Sequence, residues 1–104
     1  MAFDFRNRHV DFVATTGGSN KLRDQKVVFS SAVRRAEAVI KGFDIGYTGE
    51  DHHIWREKVQ ITNVHVIEGN GVCFDIEYLF RDSSGNIDDR YSGSVDVVVM
   101  AEVA

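Results

Sequence analysis

The chain has 104 residues, of which 43% are hydrophobic and 27% charged, with no proline; that length allows one two-layer core and excludes two. Its formal charge of −4 reflects 12 basic against 16 acidic residues. The basic residues are interleaved with acids, which excludes the continuous basic stripe that a nucleic-acid partner requires.

Residues 1–8 carry charges inside their apolar pattern and read as neither a signal peptide nor a membrane anchor. No apolar run approaches membrane-spanning length. These features favour a cytoplasmic setting or export by a non-classical route. The single cysteine, Cys73, cannot form an intrachain disulfide, and within a strand pattern it reads as a buried, inert thiol.

Phe3 and Phe5 alternate with Asp4 and Arg6, whereas Val10, Phe12 and Ala14 continue the alternation in shifted phase. The first fifteen residues therefore read as a bent or broken strand. Residues 15–20, rich in Gly, Ser and Thr, form a flexible turn; the Lys-Ser or Lys-Thr pair and the strand-to-helix context of a phosphate-binding loop are missing. Lys26 to Phe29 reads as a short strand. Residues 31–42 have two readings: a helix, with a Ser N-cap and Gly42 beyond its end, or a loop leading into a strand from about Ala36 to Tyr47. The phase of Val39, Phe43, Ile45 and Tyr47 favours the strand.

The next strand runs from about His52 to Val66 and organises the rest. Arg56, Lys58, Gln60 and Thr62 share one face, with Trp55, Val59 and Ile61 on the other. The alternation breaks at Asn63, as at a bulge, after which Val64 and Val66 become the apolar set. Gly69-Asn70-Gly71 supplies a tight hairpin. Val72, Phe74, Ile76, Tyr78 and Phe80 then alternate strictly with Cys73, Asp75, Glu77, Leu79 and Arg81.

Residues 82–89 read as a loop, followed by a last strand with Tyr91, Gly93, Val95, Val97, Val99, Ala101 and Val103 on its buried phase. Val98 and Met100 make the other phase apolar at one end, which points to cover by a neighbouring subunit. Together these elements predict an all-β fold, a six-stranded antiparallel β-sandwich forming a single domain, with residues 1–26 as an N-terminal strand and flexible turn. Val59, Ile61, Phe74, Ile76, Tyr78, Val95 and Val97 are its predicted core.

The pattern Arg56-x-x-Val59-x-Ile61-x-Asn63-Val64, then a Gly-rich turn, then Phe80-Arg81-Asp82, then Val97-Val98-Val99-Met100-Ala101, resembles the H-type lectin domain from roughly Val27 to the C-terminus. The resemblance implies a carbohydrate-binding module that acts as a homo-trimer or hexamer. It places glycan contacts at Arg56, Phe80, Arg81 and Tyr91. Phe80 stands where the family usually carries Trp, and Arg81 where its best-known members carry His, so N-acetylgalactosamine specificity does not transfer directly. The resemblance leads one to expect disulfides in secreted animal relatives, and their absence favours a bacterial or cytosolic setting.

The residue chemistry agrees in kind. A guanidinium fork gives paired hydrogen bonds to vicinal hydroxyls, an acetamido carbonyl, an acidic sugar or a sulfate. The competing reading of Arg56 is a surface charge paired with Glu57 or Asp51. Arg81 lies on the wet phase and Phe80 on the core phase, which favours Arg81 as the contact. Oxygen ligands at Asp82, Ser84, Asn86, Asp88 and Asp89 faintly resemble a calcium loop but lack its Gly position and closing Glu. Asp51, His52 and His53 with His65 or His9 have no spacing that enforces a zinc tetrahedron. No cofactor, metal or catalytic residue is expected, and a structural or adhesion subunit using the same sandwich is the second functional reading.

Overall fold

The computed structural model describes residues 2–15, 20–47, 54–82 and 91–104. It is all-β, with strands β1 (Ala2–Thr15), β2 (Asn20–Val28), β3 (Val33–Tyr47), β4 (Ile54–Ile67), β5 (Gly71–Asp82) and β6 (Tyr91–Val103). One three-stranded sheet has the order β1-β6-β3 and the other β2-β5-β4, and all pairings are antiparallel. The two sheets stack into a sandwich measuring 50 × 18 × 18 Å.

Central strands β5 and β6 carry the core because each is flanked on both sides and faces the other sheet. Val72, Phe74 and Ile76 from β5 meet Val95, Val97 and Val99 from β6, all fully buried. Val59 and Ile61, on edge strand β4, pack against this cluster from partly buried positions.

At one end the connection between β2 and β3 docks on the hairpin turn. The Phe29 amide donates to the Asn70 carbonyl at 2.9 Å, and the Val33 amide donates to the Gly69 carbonyl at 2.8 Å. The positive φ angles of that turn fall on Glu68 and Gly69, one position earlier than the Gly69-Asn70-Gly71 reading. At the opposite end, Phe12 stacks on Tyr78 with ring centroids 4.1 Å apart, and Tyr91 meets both rings edge-on.

Several local expectations change. The strand reading of residues 31–42 holds, but β3 starts at Val33, ahead of the Ala36 expected. β2 starts at Asn20, well before Lys26. The N-terminal strand is in unbroken register with β6 from Ala2 to Phe12; its register shift lies only between Phe12 and Thr15. The shifted apolar phase is therefore a change of face, with Val10 and Phe12 pointing inward and Phe3 and Phe5 outward, 60% and 55% exposed. The break at Asn63 is a bulge as read: the β4–β5 register shifts between Thr62 and His65, and Asn63 adopts φ 57°, a left-handed conformation that Asn tolerates better than most residues.

Candidate functional site

The outer face of the β2-β5-β4 sheet holds the cationic positions singled out in the sequence. Along β4 and β5 the register pairs Arg56 with Arg81, Lys58 with Leu79, Gln60 with Glu77 and Thr62 with Asp75. Lys21 and Lys26 on β2 stand opposite Glu77 and Cys73. The Arg56–Arg81 row lies at the open end of the β4–β5 hairpin, the end away from the 68–70 turn.

The rest of this face is less wet than its alternation implies. Asp75 is only 5% exposed, and Cys73 and Leu79 are also buried. The covering groups come from the flanking strands. Asp75 accepts a 2.9 Å hydrogen bond from the Asp24 amide, which the β2 bulge between Leu22 and Gln25 brings inward. Glu77 is bridged by Lys21 at 3.2 Å and Lys58 at 3.3 Å. Hydrogen bonds from Lys21 and then Lys58 hold its carboxyl below the usual glutamate value. Cationic positions Lys21, Lys26, Arg56, Lys58 and Arg81 thus share the face with the acids Asp75 and Glu77. Both acids are engaged several residues from the arginine row.

No family model, curated protein or solved structure matches this chain. The functional reading rests on the residues themselves and on their register.

Tyr91 does not stand with the arginines. It is fully buried, with its ring 6.2 Å from Phe12 and 6.0 Å from Tyr78, and its hydroxyl accepts a 2.7 Å hydrogen bond from Asn20 Nδ2. Tyr91 is the first residue of β6 and lies on the buried phase its alternation implies, whereas the resemblance made it a glycan contact. It is a core residue in this chain. Positions 80 and 81 lie on β5 opposite Glu57 and Arg56 of β4.

The other candidate ligands divide in the same way. The calcium-like stretch from Ser84 to Asp89, and Asp51, His52 and His53, lie outside the described residues. His65 Nδ1 is 2.8 Å from the Asn63 carbonyl, to which it donates. His9 is held between two carboxylates, with Nδ1 2.6 Å from Asp96 and Nε2 2.9 Å from Asp11. That arrangement, which the sequence gave no periodic signal for, raises its pKa above 6.5, chiefly through the hydrogen bond to Asp96 and then that to Asp11. Among the described residues no group of His, Cys, Asp and Glu is arranged to hold a metal.

Proposed function

We propose that this chain is a carbohydrate-binding module, acting as a multivalent homo-oligomer, that grips an acidic or N-acetylgalactosamine-type glycan terminus at the Arg56–Arg81 row. One observation carries the reading: two arginines stand directly opposite each other across β4 and β5. Like charges in that relation oppose strand pairing. Arginine cannot relieve the repulsion by losing its proton. A carboxylate or sulfate bridging the two forks would reverse the sign of the interaction and supply geometrically specific hydrogen bonds. The apolar body of a sugar would then extend along the edge of the sheet, and several weak sites on one assembly would give avidity.

The resemblance to H-type lectins at Arg56, Asn63 and Val64 supports the same class of ligand, with Arg81 standing where that family's best-known members carry His. Tyr91, committed to the core, takes no part, and the site is defined by Arg56 and Arg81. A glycan array probed with the labelled full chain tests this. The expected result is selective retention of sulfated or carboxylated termini, weakening as salt is raised from 50 to 500 mM. Equal retention of neutral and acidic glycans at both salt levels, or no retention, would count against it.

The second reading, a structural or adhesion subunit, is favoured by the exposed Phe3 and Phe5, which suit protein contact and not sugar charge. In that case the array would be blank while the protein still assembled.

A further inference from the structure

We propose that the outer face of the β1-β6-β3 sheet is the surface through which two copies of this chain associate reciprocally. This deepens the oligomer part of the reading above and is independent of whether a glycan binds.

The register sets out the face row by row. Phe3, Glu102 and Arg35 stand side by side, then Phe5, Met100 and Glu37, then Asn7, Val98 and Val39, then His9, Asp96 and Gly42. Phe3, Phe5 and Val39 are each about half exposed or more, and with Met100 and Val98 they make one contiguous apolar patch spanning all three strands. Beside the two phenylalanines lies a groove of about 270 Å³ lined by Phe3, Phe5, Arg35, Glu37, Met100 and Glu102. That is below the range of roughly 300–1,000 Å³ common for small-molecule pockets, and suits an inserted side chain better.

The occupant follows from the content of the patch. It holds both a ridge, Phe3 and Phe5, and an apolar groove next to it, so a two-fold contact lets each copy place its ridge in the groove of the other. The rim is also self-complementary in charge. Arg35 and Glu37 lie two residues apart on β3, and Arg35, though mostly exposed, is fixed by a 2.7 Å ion pair to the buried Glu102. A reciprocal contact can set Arg35 of one copy near Glu37 of the other, whereas an unrelated partner would need both features supplied separately.

The available size reaches only the lower end of the range for specific interfaces, about 600 Å² per partner. A strand of 13 residues rising about 3.4 Å per residue, in a sheet three strands wide at about 4.8 Å spacing, presents on the order of 600 Å². A standard interface uses about 800 Å² per partner. Association here would leave the arginine row, on the outer face of the other sheet and at the other end of the long axis, free on both copies.

Multi-angle light scattering and sedimentation equilibrium on the full chain without any glycan test the proposal. The expected mass is an even multiple of the 11.7 kDa chain at micromolar concentration. Phe5→Glu should weaken association at least tenfold, and Val39→Lys, from the far strand of the same patch, should act in the same direction. Val28→Glu, at an exposed position on the other sheet, should leave the mass unchanged. Circular dichroism checks that all variants remain folded, as the exposure of the substituted positions leads one to expect. A monomer at 100 µM, a purely threefold assembly, or patch variants that associate as tightly as the wild type would overturn the proposal. A blank glycan array would leave it standing.

Discussion

Replacing Tyr91 by alanine separates a core residue from a ligand contact. The ring is fully buried and closes a three-ring cluster with Phe12 and Tyr78. An aromatic side chain of this size buries about 200 Å²; at about 25 cal/mol per Å² the transfer contribution is about 5 kcal/mol, within the range of about 3–5 kcal/mol found for aromatic-to-alanine changes in cores. A domain of this length has a total stability of about 5–15 kcal/mol, so the variant should be folded but badly weakened, or unfolded outright. With a urea m-value of about 1.5 kcal/mol/M, the midpoint should fall by about 2–3 M. Tyr91→Phe keeps both ring contacts and removes only the hydroxyl that accepts from Asn20. Its cost should be about 1 kcal/mol, lowering the midpoint by less than about 1 M. Urea titrations followed by far-ultraviolet circular dichroism provide both values. An unchanged midpoint for Tyr91→Ala, accompanied by lost glycan binding, would refute the placement of this ring in the core.

Two further predictions concern the β1-β6-β3 sheet. His9 should titrate above 6.5 by NMR, and Asp96→Asn and Asp11→Asn should each lower its pKa, because both carboxylates hydrogen-bond the ring. Since the folded value is raised, any stabilisation from this cluster is fully present below 6.5 and is lost as pH rises through the raised value. Gly93→Ala should cost about 1–3 kcal/mol and speed amide exchange near Ile45: a Cβ there would press on the Asp44 carbonyl and sit 2.8 Å from the Ile45 Cα, backbone atoms that cannot move without parting β3 from β6. A wild-type urea midpoint for Gly93→Ala would show that the β3–β6 register is wrong at this point.

What could be read from the sequence follows the position of each strand in its sheet. β5 and β6 are central, so strict alternation of Phe74, Ile76, Tyr78, Val95 and Val97 fixed their phase. β2 is an edge strand: its first half offers only Leu22 as an apolar signal, and its inward Asn20 does its work through a hydrogen bond to Tyr91. β3 is ambiguous locally because Ala36, Glu37 and Ala38 are good helix formers. Pairing with β6 along its whole length overrides that propensity. In β1 the shifted apolar phase suggested a bend or break, whereas the strand stays in register with β6 from Ala2 to Phe12 and turns Phe3 and Phe5 outward. Their outward position is what exposes the patch proposed for association.

The site was legible in part. The wet phase and the hairpin implied that Arg56 and Arg81 lie together, and the register pairs them. The burial of Asp75 and Leu79 on the same face was not legible, since it depends on side chains from β2 and β4 and on the bulge at Asp24. Tyr91 was read on the buried phase of β6, where it lies; only the family resemblance made it a glycan contact, and its packing against Phe12 and Tyr78 commits it to the core.

The most direct measurement is calorimetric titration of the wild type and Arg56→Lys with the best sulfated or carboxylated glycan from the array. Lysine retains the charge but loses the planar fork, so a paired, charge-assisted contact should weaken by about 1–3 kcal/mol, roughly ten- to hundredfold in Kd, with Arg81→Lys weakening binding to a similar degree. Equal affinity for the wild type and Arg56→Lys would contradict the proposal that Arg56 and Arg81 form the glycan site.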